Sequence, residues 1–296
     1  MSAQILQNDN LRLEVTPSIG GAVVGFDYKN GSVTYPIFRR CQTEITESLS
    51  PLDTSCFPLL PYSNRLRDGC FTFDGTKYKH PLNCLPEIHA SHGDAWMRPW
   101  HVTCQSNQHI EMRLGPATGQ PIKYSAIQVF RLLGTELSIS LQITNVGMVK
   151  GPFGMGLHPY FNREDDTRII CNLESKWELD GDLMPVRLSA NQLYSQMHYG
   201  MDIKDLPEAG AYFGQSADAE IIWPSSGLRV RVTTISSLRH AIIWCPAGQK
   251  FFCYEPVSHM VDGFNMAGIG VKDTGVIYLD PGESYKAVWT FSIFEE

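Results

Sequence analysis

The stretch Leu137-Ser-Ile-Ser-Leu-Gln-Ile-Thr144 alternates apolar and polar residues without a break. Successive side chains of a β-strand point to opposite faces of a sheet, so this spacing puts all four apolar residues on one face. A helix would need apolar residues three and four positions apart. The stretch therefore predicts a half-buried strand, and Asn145-Val-Gly147 after it predicts a turn.

The same alternation recurs along the chain, for example at 11–16 and 228–232. Asp74-Gly75 and Pro281-Gly282, each between apolar segments, predict tight turns. The 296 residues include 25 Gly and 18 Pro, which leave little room for long helices. We expect short helical turns near Ala190 to Met197. Strands separated by frequent turns indicate an all-β protein, and we expect one large antiparallel β-sandwich.

The sequence shows no sign of a division into domains. Low-complexity linkers, blocks of like charge and repeats of fixed period are all lacking. We therefore expect residues 1–296 to form a single domain. The most irregular stretch, 41–53, is expected to be a surface loop near the mouth of a site.

Charge and cysteine content argue against several classes of protein. The formal net charge is −7, and the 24 Lys and Arg residues form no basic stripe of the kind that binds nucleic acid. The eight cysteines are scattered without a Cys-x-x-Cys pair, and no signal-peptide pattern is seen. No apolar run approaches the ~18 residues of a membrane span. We expect a cytoplasmic protein with reduced thiols, a monomer or homodimer, without nucleic acid or membrane as a partner.

Two residues are the strongest candidates for chemistry. His158 lies in Gly154-Met-Gly-Leu-His-Pro-Tyr-Phe161, and Glu255 lies in Phe251-Phe-Cys-Tyr-Glu-Pro-Val-Ser-His259. An imidazole and a carboxyl among apolar neighbours are suited to take a proton from one oxygen and deliver one to another. Burial should raise the pKa of Glu255. The alternatives are a core histidine bonded to a backbone carbonyl and a surface glutamate before a turn-forming proline.

Two upstream segments carry further candidates. Asn64 and Arg65 close the segment Cys56-Phe-Pro-Leu-Leu-Pro-Tyr-Ser-Asn-Arg65, and His92 belongs to Ser91-His-Gly-Asp-Ala-Trp96. Arg65 could instead form a surface ion pair, and His92 could be an ordinary loop histidine. Neither segment decides a function by itself.

The four segments, in this order and over a chain of this length, resemble the aldose 1-epimerase (galactose mutarotase-like) family. Asn145-Val-Gly147 leading into Pro152–Phe161 resembles the family's approach to its catalytic histidine. Glu255-Pro-Val-Ser-His259 resembles its glutamate segment. The resemblance covers most of the chain, and it implies the family's fold, a large twisted antiparallel β-sandwich (the galactose mutarotase-like supersandwich).

The resemblance also implies a reaction. Glu255 would be the general base at the C1 hydroxyl of a free hexose and His158 the general acid at its ring oxygen, so that α and β anomers interconvert through the open chain. Arg65, with Asn64 before it, and His92 would bind this small-molecule sugar. The reaction requires neither a nicotinamide nor a metal, so we expect no cofactor and no metal ligands.

Two departures from the family pattern bear on which sugar is bound. The more common His-Gly-Gly is His92-Gly93-Asp94 here. Many members also carry a substrate-holding aspartate before a His-Asn-Phe-like segment, and the comparable stretch Glu208-Ala-Gly-Ala-Tyr-Phe-Gly214 has none. Trp96 could stack on the apolar face of a pyranose, although a tryptophan is more often part of a core.

Two other functions remain open. A hexose-6-phosphate 1-epimerase would need a cationic cluster, for which Arg65, Arg67 and Lys77 are the dense candidates. A non-catalytic sugar-binding module would have no use for a matched proton donor and acceptor. His259 and Asp202 are lesser site candidates.

A metal site is a separate hypothesis. His89 and His92, near Glu87 and Asp94, could in principle hold zinc. The loop offers no other close ligand pair, and the expected reaction needs no Lewis acid.

Overall fold

The computed structural model describes residues 3–46, 48–235 and 238–296. The strands in these ranges begin with β1 (Gln4–Gln7), β2 (Leu11–Thr16), β3 (Ala22–Asn30), β4 (Val33–Phe38), β5 (Pro58–Leu59), β6 (Arg65–Leu66), β7 (Cys70–Phe73), β8 (Thr76–Lys79) and β9 (Ala90–Ser91). They continue with β10 (His101–Ser106), β11 (His109–Leu114), β12 (Tyr124–Leu133), β13 (Glu136–Asn145), β14 (Gly151–Phe153), β15 (Gly156–Leu157), β16 (Tyr160–Asn162), β17 (Arg168–Cys171) and β18 (Ser175–Leu179). They end with β19 (Pro185–Ala190), β20 (Met201–Asp202), β21 (Ala209–Phe213), β22 (Ala219–Trp223), β23 (Leu228–Ile235), β24 (His240–Trp244), β25 (Phe251–Val257), β26 (Ile277–Leu279) and β27 (Ser284–Glu295).

Helices are short. The α-helices are α1 (Tyr194–Tyr199) and α2 (Gly263–Gly268), and single 3-10 turns lie at Pro51–Asp53, Arg67–Gly69, Ala95–Met97, Ile203–Asp205 and Pro224–Ser226. In the described part of the chain, no helix has the length and apolar character needed to cross a membrane. All eight cysteines lie in that part and are free thiols.

Two large antiparallel sheets form the body of the protein. A twelve-stranded sheet has the order β1-β2-β3-β4-β16-β25-β24-β21-β18-β19, with β15 paired to β25 and β5. A nine-stranded sheet has the order β10-β11-β12-β13-β27-β23-β22-β17-β20. Three two-stranded ribbons, β6-β9, β7-β8 and β14-β26, complete the strands. The expected all-β sandwich of antiparallel strands is thereby confirmed.

The stretch at 137–144 is confirmed as a strand. It lies in β13, between β12 and β27, and its four apolar side chains are fully buried. The turn after it is held by Asn145, whose amide donates to the carbonyls of Val149 and Leu279 and whose Oδ1 accepts from the backbone of Gly147. The side chain of Asn145 thus supplies hydrogen bonds to backbone groups at the point where the pairing between strands ends.

Two of the other predicted turns are found where expected, and the predicted helical turn is displaced. Asp74-Gly75 joins β7 and β8 as a hairpin, and Pro281-Gly282 leads into β27. The helical turn expected at 190–197 is displaced to α1, Tyr194–Tyr199, because the backbone up to Ala190 pairs with β18 as strand β19.

Strand β25 of the twelve-stranded sheet is buried on both faces. Along β25, Phe252 and Tyr254 belong to the main core, whereas Cys253 and Val257 belong to a second, smaller apolar cluster. Because side chains alternate along a strand, Glu255 shares the face of this second cluster. That face is the floor of the candidate site.

Candidate active site

A cavity of about 320 Å³ opens on the second face of the twelve-stranded sheet. Five of the six residues expected at the site from the sequence line it: Asn64, Arg65, His92, His158 and Glu255. Strand pairing explains the convergence of the last two. Gly156 in β15 pairs with Val257, and Tyr160 in β16 pairs with Cys253, so the chain around His158 runs beside the segment that carries Glu255.

His158 and Glu255 are in contact. The imidazole Nε2 lies 3.4 Å from the carboxyl Oε1, and the two side chains are only 8% and 2% exposed. Burial raises the pKa of Glu255 well above its usual value, although the charge of Arg65 acts in the opposite direction. Burial also lowers the pKa of His158 well below its usual value, and His92 and Arg39 add to this effect.

These two shifts decide how many protons the pair holds. A carboxyl that keeps its proton beside an imidazole that stays neutral carries one proton between two basic atoms. The two directions favour one protonated and one unprotonated group, and a pair of this kind can move a proton onto one oxygen while taking one from another.

The imidazole of His158 is positioned by packing. The rings of Phe57, Tyr160 and His92 lie around it, with centroids 4.7, 4.6 and 5.3 Å from its own. Its backbone N–H donates to the carbonyl of Phe57, while its side-chain Nδ1 has no hydrogen-bond partner among the described residues.

Arg39 covers the ring of Tyr160. Its guanidinium carbon lies 3.6 Å from the Tyr160 centroid and 4.4 Å from that of Phe251. Its nitrogens donate to the backbone carbonyls of Leu52 and Thr54. The aromatic wall beside His158 therefore carries a cation on its outer side.

His92 is held as one tautomer. Its Nδ1 accepts a hydrogen bond from the backbone N–H of Asn64 at 3.1 Å, and its own backbone N–H donates to the carbonyl of Asn64 at 2.9 Å. An Nδ1 that accepts leaves the ring proton on Nε2. Burial lowers the pKa of His92 to about 3, so the ring remains a neutral donor at physiological pH.

The loops at this point adopt unusual backbone angles. Asn64 and His92 have φ values of 54° and 62°, in the left-handed region, and Gly93 follows with 69°. A Cβ on Gly93 would lie 2.0 Å from the carbonyl oxygen of Leu60, so only glycine fits. Left-handed non-glycine residues concentrate at functional sites, where the surrounding bonds maintain them.

Arg65 is fixed at both its backbone and its side chain. A guanidinium nitrogen lies 3.1 Å from Oε1 of Glu87, and the backbone carbonyl accepts from the N–H of Asp262. The neighbouring Ser63 N–H donates to Nε2 of His259, whose Nδ1 contacts the carbonyl of Met260. Both ring nitrogens of His259 are thus used within the protein, and this residue positions the loop.

Trp96 requires a correction. It was expected to stack on a sugar, but it is 3% exposed, and its indole N–H donates to the carbonyl of Gly93. Its ring stacks on Phe57 at 5.3 Å, behind the ring that flanks His158. Its contacts are with the protein, and it supports the cavity wall from behind.

Both departures from the family pattern have structural counterparts. Asp94 accepts from the hydroxyl of Tyr124 at 2.7 Å and pairs with Arg98 at 3.2 Å, so it ties the His92 loop to the nine-stranded sheet. In the stretch without an aspartate, Ala209 lines the cavity from β21. This part of the cavity wall is therefore formed by a small apolar side chain.

Arg39 and Trp244 are among the lining residues that sequence reasoning missed. Phe251, named from the sequence only as a neighbour of Glu255, forms part of the cavity wall. The alternation of side chains along an extended backbone could have indicated Arg39. Arg40 bonds to Asp27 on one side, so its neighbour Arg39 points to the other side, toward the site. The lesser candidate Asp202 pairs with Arg168 and Lys204 on the nine-stranded sheet.

Comparisons with known proteins identify the family. The aldose 1-epimerase family profile matches residues 3–292. YphB of Escherichia coli (strain K12) is 29% identical over 297 residues, 96% of this chain and 96% of that protein. The chain belongs to the aldose 1-epimerase family.

Solved structures agree on the fold. A structure from Escherichia coli K12 has a TM-score of 0.88 at 25% identity and covers 100% of this chain and 99% of that chain. A galactose 1-epimerase from Lactobacillus acidophilus NCFM has a TM-score of 0.77 at 16% identity, covering 98% and 93%. At that identity the second likeness shows the fold alone.

The packing around His158 predicts the effect of removing the Tyr160 ring. In Tyr160→Leu, water should reach the imidazole, and its pKa should rise toward the ordinary value of about 6.5 because the desolvation is relieved. In the control Tyr160→Phe the ring stays, and the pKa should remain depressed. Nuclear magnetic resonance titration of the imidazole measures both, and identical titrations in the two variants would contradict positioning by this ring.

Proposed function

We propose that the protein interconverts the α and β anomers of a free hexose by acid–base catalysis with ring opening, without a cofactor. The observation that carries this proposal is the buried contact of 3.4 Å between His158 and Glu255 in a cavity the size of a small-ligand site. The pair provides the proton donor and acceptor that the exchange of anomers requires.

The proposed steps begin with the shared proton on His158. The carboxylate of Glu255 takes the proton of the C1 hydroxyl, and His158 gives its proton to the ring oxygen while the bond between C1 and that oxygen breaks. The product is the open-chain aldehyde. Rotation about the C1–C2 bond and the reverse proton transfers close the ring as the other anomer, so the protein ends as it began.

Burial favours the proton on Glu255 in the resting protein. The short contact allows it to pass to His158 before the first step, and the hydroxyls of a bound sugar would then solvate the carboxylate. Each positioned acid or base typically contributes ~10²–10⁴-fold to the rate.

The sugar would be bound by the remaining polar groups of the cavity. Arg65 offers a planar fork, and His92 offers a neutral Nε2–H donor. Asn64 uses its side-chain oxygen to accept from the backbone of Arg65, so its role is to shape the loop as well as to line the cavity.

A hexose 6-phosphate is a second candidate substrate. The residue that could bind its phosphate differs from those expected from the sequence. Arg67 faces Asp180 and Asp262, and Lys77 lies on the β7-β8 hairpin, so the cluster named from the sequence is not assembled at the cavity. Arg39 lines the cavity, and its recorded side-chain hydrogen bonds go to backbone carbonyls. This cation could accept an anionic substituent of a sugar.

Polarimetry tests the proposed function. Freshly dissolved α-D-glucose or α-D-galactose should reach its equilibrium rotation faster with the protein than without it. Acceleration confined to hexose 6-phosphates would transfer the assignment to the second candidate. Sugar binding without acceleration of either kind would indicate a binding module and contradict catalysis.

Substitution of the carboxyl isolates its role. Glu255→Gln keeps the size of the side chain but removes the base, so turnover should fall by about 10²–10⁴-fold while the unfolding midpoint stays near that of the wild type. Glu87→Gln is the matched control, because it changes a carboxyl of the same cavity that pairs with Arg65 and should act mainly on the Michaelis constant. A Glu255→Gln rate like that of the wild type would remove this residue from the mechanism.

The pH profile should reflect one proton on the pair. The pair gains a second proton only below the depressed pKa of His158 and loses its single proton only above the raised pKa of Glu255. We expect kcat/KM to be constant around neutral pH, with an acid limb well below the ordinary histidine value of about 6.5. An inflection at that ordinary value would mean that the imidazole titrates freely.

A further inference from the structure

Cys253 is a buried thiol that the proposed mechanism does not use. It lies two residues before Glu255 on the same face of β25, opposite Tyr160 of β16, and it is fully buried. One ligand atom from each of His158, Cys253 and Glu255 lies within 4.8 Å of the other two. In the described part of the chain this is the single group of three such side chains that converges in this way.

Apart from Nε2 and Oε1, which form the 3.4 Å contact, one further atom on each of His158 and Glu255 has no hydrogen-bond partner in the described part of the chain. Nδ1 of His158 and Oε2 of Glu255 are buried without a hydrogen-bond partner among the described residues. Buried polar atoms are normally paired, and each exception calls for an explanation. Among the loop histidines considered for zinc from the sequence, Nδ1 of His89 and Nδ1 of His92 accept from the backbone N–H groups of Asp68 and Asn64. Nε2 of His89 is also buried without a partner among the described residues, but neither histidine belongs to a group of three ligand side chains that converge there.

We propose that His158, Cys253 and Glu255 form a binding site for a thiophilic divalent cation such as Zn²⁺, and that the bound ion blocks the sugar site. Imidazole, thiolate and carboxylate are the three ligand types that zinc takes in proteins. Three protein ligands would leave the fourth position open toward the cavity for water.

The distances allow such a site with small movements. Zinc bonds of about 2.0–2.3 Å in a tetrahedron place the ligand atoms about 3.3–3.8 Å apart. His158 Nε2 and Glu255 Oε1 already meet this separation at 3.4 Å. The sulfur, at most 4.8 Å away, must approach by about 1 Å, which is comparable with ordinary thermal displacement.

The charges also balance. The ion replaces the thiol proton of Cys253 and the carboxyl proton of Glu255, both of which leave to solvent, while neutral His158 donates its lone pair. A doubly charged cation with a thiolate and a carboxylate has no net charge, which suits a buried position. Arg39 and Arg65 nearby oppose cation binding, and the two anionic ligands offset them.

The ion would occupy the space between the two proton-transfer atoms. Sugar and metal therefore exclude each other, and this consequence rests on the proposed function. Metal binding itself does not rest on it, so the two can be tested separately.

Ultraviolet absorption with Cd²⁺ tests binding directly. Titration of the full chain should produce a thiolate-to-metal charge-transfer band, which Cys253→Ala should abolish and Glu255→Gln should shift to at least about tenfold higher Cd²⁺ concentration. Cys171→Ala is the matched control, because it removes another buried thiol, on the nine-stranded sheet, and should leave the band intact. A band unchanged in both Cys253→Ala and Glu255→Gln, or no band in the wild type, would overturn the proposal.

Inhibition by Zn²⁺ tests the consequence for the sugar site. In a polarimetric assay Zn²⁺ should inhibit competitively with the sugar, and Cys253→Ala should raise the inhibitory concentration by at least about tenfold while retaining turnover. Equal inhibition of the two proteins would contradict the site. If the protein has no epimerase activity, the Cd²⁺ band still decides the metal proposal, so failure of one claim is distinguishable from failure of the other.

Discussion

The contact between a buried imidazole and a buried carboxyl is the constraint on which the site depends. Both groups lose water, so burial shifts the pKa of each toward its neutral form, and the imidazole Nε2 lies 3.4 Å from the carboxyl Oε1. Such a pair persists only where the surrounding structure holds it. Here the pairing of β15 and β16 with β25 does so, and β25 is itself packed on both faces, by the main core and by the second apolar cluster.

The rest of the cavity is built from loops held by backbone bonds. Asn64 and His92 exchange two hydrogen bonds, Gly93 permits close contact with Leu60, and His259 fixes the loop that precedes Arg65. Rigid donors of this kind lose little freedom when a ligand binds, and they favour one defined orientation of that ligand. The absence of a carboxylate at Ala209 and the presence of Arg39 distinguish the outer part of this cavity.

Sequence alone predicted the fold class and five of the polar residues that line the cavity, for identifiable reasons. Strict alternation at 137–144 leaves no helical alternative, and the four motif segments resemble one family in order. It failed where position depends on packing between distant segments. Trp96 is a residue type that can stack on a sugar, but it lies behind Phe57. The role of Arg39 depends on its contact with the Tyr160 ring, and no local sequence pattern reveals that contact.

The proposed function requires that an aldose bind with its C1 hydroxyl at Glu255 and its ring oxygen at His158. A crystal structure of Glu255→Gln with a bound aldose tests it most directly. The account predicts the C1 hydroxyl within about 2.6–3.2 Å of the substituted side chain and the ring oxygen equally close to Nε2 of His158. A sugar whose reducing end lies beside Arg39, or whose ring oxygen faces away from His158, would contradict the account.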